Sequence, residues 1–547
     1  MLRVTACCSL TVVLFLSFLA SGPSLAAISG PALFNVRDFG ATGKKEDDAR
    51  GAIQKAVNAC AAAGGGTVYL PPGEYTSGQV ELRSHVRVYL EAGATLYASA
   101  NPNHYRASHY AAVFYAESVE KIAVEGRGTV HGQAEYEWRV NDLEDFYIKG
   151  NQLFAEAFGK PLMRPFPKGH PTRTVYPRMI LFLKSKDIRI TGLSFLQSPS
   201  WTVNLYACER IVIDGVYIQS SLKEGVWADG IDPDGCKDLR ISNSTIQTGD
   251  DALVFYSATP FGPALPCEDI TVTNCRLSSA SSALKFCDGN SNSVRRVTVD
   301  NCVITSSNRG IAFMVFDGGY VSDVVLSNLT IETTLFDWFW WGDGDPIHFN
   351  IKRRSEIHGQ PPKPDEPAAG SIRNVMIRNV IARGKGTSVI NGHPDSWLEN
   401  VSIENVKLSL SADPTAMMQR ATDAMRVRWA RNLKLKDVEV RWEFPRSGKW
   451  QSALHVEDVK GVILDGFSGK QAGEGEATAA VILNQVEDVL IRNATAQEGT
   501  SSFLNVKGKR SRGVFLMNSD LRLAARPYRL DNDVPKEAVR SLGNLTP

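Results

Sequence analysis

A short apolar run ending in asparagine recurs along the middle of this chain, and that recurrence restricts the fold more than any other feature. The copies are Ile241-Ser242-Asn243, Val272-Thr273-Asn274, Val299-Asp300-Asn301, Leu326-Ser327-Asn328, Ile377-Arg378-Asn379 and Ile403-Glu404-Asn405. Their asparagines are spaced 31, 27, 27, 51 and 26 residues apart, and the 51 reads as two coils. Weaker copies extend the series at Gly192, Gly215, Asp437, Gly466, Asn493 and Asn518. A period of this size belongs to a solenoid, in which one unit cannot bury its own apolar face and stacks on the next. Each unit is built of short runs such as Ile211-Val212-Ile213 and Val216-Tyr217-Ile218, with the period of a strand and not of a helix. The expected fold is all-β, a right-handed parallel β-helix.

A solenoid needs its open end covered. Residues 27–95 carry a different signature: Phe34-Asn35-Val36-Arg37-Asp38-Phe39-Gly40-Ala41, an alanine-rich stretch from Asp47 to Ala63, then Gly64-Gly65-Gly66-Thr67-Val68-Tyr69-Leu70-Pro71-Pro72-Gly73. Ile53, Val57 and Cys60 fall on one helical face, and the glycines end that helix before a strand. This segment is read as the N-terminal cap with the first coils. Residues 96–547 are read as the catalytic β-helix, interrupted by insertions at 134–177 and 336–370. The chain is 43% hydrophobic and 22% charged, with 45 glycines for many turns, and shows no linker-like segment, so one large domain is expected.

Residues 1–26 have the build of a signal peptide: Arg3, an apolar stretch from Val12 to Ala20, and Ser24-Leu25-Ala26 before Ala27. The reading is a secreted protein, extracellular or periplasmic, with no membrane span after cleavage. Without Arg3 the chain carries 59 basic and 59 acidic residues, which gives no support to nucleic-acid binding. Seven cysteines remain, with no metal-type spacing. Cys275 and Cys302 each follow a ladder asparagine and are expected to stack inside as small apolar side chains. A disulfide from Cys267 to Cys275 or Cys287 is left open.

Two acidic motifs, Ala228-Asp229-Gly230-Ile231-Asp232 and Gly249-Asp250-Asp251, lie about one coil apart. Neighbouring coils are roughly 4.8 Å apart, so Asp229, Asp250 and Asp251 become neighbours if they share a face. Consecutive strand residues point to opposite sides, and Gly249 is the residue able to bend the chain so that both Asp250 and Asp251 reach the cleft. Crowded carboxyls cannot all ionise, so one keeps its proton and serves as an acid while the others activate water. The plainer reading makes these aspartates turn formers.

The cap motif, Ser198-Pro199-Ser200-Trp201, Asp229-Gly230-Ile231-Asp232 and Gly249-Asp250-Asp251, in that order, resemble the polygalacturonase family, the family 28 glycoside hydrolases. The resemblance runs from about residue 34 to residue 335. It implies inverting hydrolysis of a pectin-type or related acidic polysaccharide, with Asp250 as general acid, Asp229 and Asp251 activating water, and no cofactor or metal. It also has departures. Counting from the ladder asparagines, Ser281 and Ser282, then Asn308 and Arg309, fall at the positions equivalent to Asp250 and Asp251. The family's G-H-G histidine is therefore replaced by serine, and Ala312 and Met314 stand where its R-x-K pair is expected.

Lys285 and Arg309 on neighbouring coils either rebuild the cationic subsite that holds a sugar carboxylate, or Lys285 stacks outward on a sheet and Arg309 pairs with a surface acid. The aromatic run Phe336 to Trp341 suggests sugar stacking by Trp340 and Trp341, or else a hydrophobic plug. His348 is a candidate to replace the lost histidine, or a structural residue. The insertions favour exo over endo action. Two rivals remain: a β-helix polysaccharide lyase, with Asp229, Asp232 and Asp234 able to hold calcium, and a noncatalytic carbohydrate-binding solenoid. The expected partner is a poly- or oligosaccharide, and the expected state a monomer.

Overall fold

In the computed structural model, residues 32–134, 136–140, 163–167, 175–223, 225, 227–336, 342–357, 359–415, 421–473 and 478–547 are described. The leader at 1–26, most of the 134–177 insertion, and Trp340 and Trp341 lie outside the described residues. The chain is a right-handed parallel β-helix in which strands pair with their counterparts one coil away. The expected cap helix is present as Arg50–Ala62, burying Ala52, Ile53, Ala56, Val57 and Cys60. It ends at Gly64, Gly65 and Gly66, all at positive φ, just where the strand Gly66–Leu70 begins. No helix among the described residues is long and apolar enough to cross a membrane.

One coil shows how the sequence sets the shape. The strand Ile231–Asp234 is followed by Lys237–Ser242, then by Asn243 at φ 53°, then by Thr245–Thr248. The left-handed conformation turns the chain between the last two strands, and Asn and Gly tolerate it best. Gly192, Gly215, Asn274, Asn301, Asn328, Asn379, Asn405, Asp437, Gly466, Asn493 and Asn518 occupy the same region, as the repeat anticipated. Their amides also bond coil to coil: Asn274 donates to Asn243 (3.3 Å) and Asn301 to Asn274 (2.6 Å).

The interval of 51 residues departs from expectation. Leu326 pairs directly with Ile377, and Asn379 donates to Asn328 at 3.0 Å. The interval is one coil, not two, because its extra length is spent in the segment between Thr333 and Ser371, which supplies one further strand, Asp345–Ile351, to the site sheet.

Inside, equivalent positions stack. Phe255, Phe286, Phe313 and Phe349 are fully buried in one column, with ring centroids 5.3, 4.3 and 4.3 Å apart. Each ring contributes roughly 1.5–3 kcal/mol of burial and about 0.5–1.5 kcal/mol per ring pair. This column lies beneath the strands that carry the candidate site and gives them a rigid floor. All seven cysteines outside the leader are free and buried, so the possible Cys267 disulfide is not formed. Cys275 and Cys302 are paired on adjacent coils as expected.

Candidate active site

The register of one sheet assembles the site. Val203 pairs with Ile231, Ile231 with Leu253, Leu253 with Leu284, Ser282 with Arg309, and Arg309 with Asp345. Following that register places Trp201, Asp229, Asp251, Ser282, Arg309 and Asp345 in one row across the coils. A second row runs through Asn204, Asp232, Val254, Lys285, Ala312 and His348. The equivalence of Asp251, Ser282 and Arg309 read from the asparagine ladder therefore holds in space.

Asp229, Asp250 and Asp251 converge: one carboxylate oxygen from each lies within 4.8 Å of the others. Asp250 precedes the strand Leu253–Ser257 in a turn, so the alternation of a regular strand does not bind it. Gly249 permits this for a reason other than the bend expected. Its φ is ordinary, but a Cβ there would lie 2.4 Å from the carbonyl oxygens of both Ser221 and Gly225, so only glycine fits against the preceding coil. Thr248 and Ser279 hydroxyls then donate to the Asp250 carbonyl at 2.8 and 2.6 Å and fix the turn.

The three carboxyls have different surroundings. Asp251 is buried and accepts three bonds: from the Ser281 hydroxyl (2.8 Å) and the Ser282 N–H (3.1 Å) on Oδ1, and from Lys285 Nζ (2.6 Å) on Oδ2. Asp250 is partly exposed to the cleft. Burial first, then the Asp251 charge, pushes its carboxyl well above the usual range, against the pull of Lys285. Burial and the neighbouring Asp250, Asp232 and Asp251 do the same to Asp229. Asp232, behind Asp229, is likewise raised by burial and then Asp251. The site is thus built so that its acids do not all ionise together.

These residues open into a cleft of about 600 Å³. Trp201, Trp227, Asp229, Asp234, Asp250, Asp251 and Tyr256 line it together with Lys285, Asp288, Arg309, Met314, Asn350, Lys352 and Arg354 from further along the chain. Trp201 and Tyr256 are stacked at 5.7 Å with 12° between their planes. Lys285 is buried and bonded to Asp251 and Asp288 (3.0 Å), so it faces the site and not a surface acid. Arg309 lines the cleft with its guanidinium 3.8 Å from Asp345. His348 is not among the lining residues: its Nδ1–H donates to Asp345 at 3.0 Å, and burial followed by the Arg309 charge keeps its pKa low.

Several lining residues were not singled out from sequence. Trp201 was quoted only as part of a motif, though it lies 28 residues before Asp229 and shares its row. Lys352 and Arg354 come from the enlarged coil, where the repeat gives no register.

Residues 167–335 match the model described as "Glycosyl hydrolases family 28", and residues 33–104 match "Rhamnogalacturonase A/epimerase, pectate lyase-like". A "Probable polygalacturonase" of Vitis vinifera is 24% identical over 398 residues, covering 71% of this chain and 76% of that protein. The chain is similar to the family 28 polygalacturonases. Its fold is shared with the exopolygalacturonase of Yersinia enterocolitica, at TM-score 0.60 and 18% identity over 80% of this chain and 79% of that one. It is shared also with a Thermotoga maritima exopolygalacturonase, at TM-score 0.55 and 21% identity over 76% and 93%.

Proposed function

We propose that this family 28 glycoside hydrolase is exported and cleaves the glycosidic bonds of a pectin-type or related acidic polysaccharide, with Asp250 as general acid and Asp229 and Asp251 as the groups that activate water. The observation that carries the reading is the convergence of these three carboxylates, within 4.8 Å, in a cleft that Arg309, Lys352 and Arg354 also line. A protonated Asp250 facing the cleft gives its proton to the leaving oxygen as the bond to the anomeric carbon breaks. A water attacks that carbon and passes a proton to Asp229 or Asp251, so atoms and charge balance.

An ionised carboxylate has about four acceptor positions. Three on Asp251 are filled by Ser281, Ser282 and Lys285, which leaves room for one water and disfavours attack by Asp251 itself on the sugar. The close spacing would by itself suit a retaining enzyme better, since retaining pairs are about 5–5.5 Å apart and inverting pairs about 6.5–9.5 Å. Inversion is favoured here by the saturation of Asp251 and by the family resemblance. A metal in the triad is disfavoured because Lys285 already supplies its positive charge.

Arg309 and Lys352 are the cations best placed to meet a sugar carboxylate, and Trp201 offers an aromatic face to a sugar ring. Cleavage near a chain end is supported by a wall at the N-terminal side of the cleft. There Thr259 and Pro260 line the cleft, while Phe261 packs on His109 at 4.5 Å and on Tyr110 at 5.6 Å. The test is reducing-sugar release on pectic, rhamnogalacturonan and neutral polysaccharides, with ultraviolet absorbance recorded in parallel and the first-formed anomer read by proton NMR. Reducing ends of inverted configuration without absorbance support the reading. Absorbance from a new double bond would replace it with a lyase, and binding without turnover with a carbohydrate-binding solenoid.

A further inference from the structure

The Lys285 ammonium is enclosed between two carboxylates. It touches Asp251 Oδ2 at 2.6 Å and Asp288 Oδ2 at 3.0 Å, and its side chain is 7% exposed. The pattern continues: Arg354 bonds the Asp288 carbonyl and pairs with Asp317 at 2.5 Å. A chain of alternating charge, Asp251, Lys285, Asp288, Arg354 and Asp317, thus runs from the triad along the cleft wall.

Two features of this chain bear on function. Lys285 cannot offer its charge to a substrate carboxylate without releasing Asp251, because its short reach is already spent on two anions. The donors on Asp251, an ammonium and a backbone N–H among them, can only donate, so they fit the carboxylate anion and not the acid. Asp250 and Asp229 have no such set: the Asp251 N–H donates to Asp250 at 3.0 Å, and Asp229 Oδ1 is buried without a hydrogen-bond partner. One lysine therefore helps give one of the three crowded carboxyls a full set of donors that the other two lack.

We propose that Lys285 is a positioning residue that keeps Asp251 ionised and aimed at the water, and that it is not a ligand for the sugar. The proposal rests on the hydrolase reading above. Lys285 stands on the same strand as Ser282, three residues beyond it, and Asp288 keeps its ammonium from swinging into the cleft.

The test is the pH profile of hydrolysis for wild type, Lys285→Met and Lys285→Arg, with kcat and KM separated. An opposite charge at this distance moves a carboxyl by about one to three pH units. Lys285→Met is therefore expected to move the acidic limb of the profile upward by about that much and to lower kcat at least tenfold at the wild-type optimum, with KM nearly unchanged. Lys285→Arg is expected to restore most of the limb. A rise in KM with the limb unmoved would overturn the proposal and return Lys285 to substrate binding. A loss of kcat with an unmoved limb, not rescued by arginine, would also overturn it.

If Lys285→Met does not fold, Asp288→Asn reads the chain from its other side. With that charge gone, the full field of the ammonium falls on Asp251 and the limb is expected to move down; no movement would count against the proposal. Failure of the hydrolase reading itself is distinguishable, since it would show as no hydrolysis by the wild type.

Discussion

Asp234 lines the cleft but sits outside the triad, and it should make the protein weaker at neutral pH than at acid pH. It is 3% exposed, and burial pushes its carboxyl from 3.8 up to about 6, although the Ala258 N–H donates to it at 2.8 Å. The folded protein therefore holds this proton more tightly than the unfolded chain does. Below pH about 4 the residue is neutral in both states and adds no penalty. As pH rises from about 4 to about 6 the unfolded chain ionises first, and above about 6 the folded state carries the full cost of a buried anion.

At about 1.4 kcal/mol per pH unit that cost is about 3 kcal/mol. Asp234→Asn keeps an oxygen to accept from Ala258 and removes the charge. It is expected to stabilise the protein by about 3 kcal/mol at pH 7.5 and by almost nothing at pH 4. With roughly 2 cal/mol/K of unfolding entropy per residue, and about 500 residues unfolding as one unit, Tm rises by about 3 °C, and by more if fewer coils unfold together. Thermal scans of both proteins at the two pH values measure this. An equal gain at both pH values, or none at pH 7.5, would refute the argument that burial of the charge is what raises this carboxyl.

Three further outcomes follow from the same geometry. Phe313→Ala removes the ring stacked on both Phe286 and Phe349 at 4.3 Å and should destabilise by about 3–5 kcal/mol in denaturant unfolding. Asn274 is at φ 56° with its amide in the ladder, so Asn274→Ala should cost about 1–2 kcal/mol and Asn274→Gly less, measured by the same titration. The Lys285 variants described above should separate in their pH profiles and not in KM.

The repeat was readable because each of these coils turns through a residue at positive φ between two strands, and asparagine and glycine mark that place in the sequence. The same marks gave the correct equivalence of Asp251, Ser282 and Arg309, since strand register is carried unchanged from coil to coil. The reading failed where a coil changed length: the 51-residue interval was divided in two, and Lys352 and Arg354, which that coil contributes, were not seen. It left Lys285 open between a rebuilt cationic subsite and an outward-facing position. Lys285 is in register with Val254 and Ala312, not with Asp251, and only the diagonal reach of a long side chain brings its charge to the triad. No spacing rule encodes that reach. Gly249 was recognised as necessary, but the cause is the neighbouring coil's backbone, which is distant in sequence.

The central claim, that Asp250 is the acid of a three-carboxylate hydrolase, is tested most directly by comparing hydrolysis by wild type and Asp250→Asn on the best substrate of the polysaccharide panel. Thermal unfolding of both proteins serves as the control for folding. The asparagine keeps the turn and the oxygen that accepts from the Asp251 N–H but has no proton to give. A folded variant whose kcat falls by about 10²–10⁴ is the expected result. A folded variant that retains wild-type turnover would contradict the account.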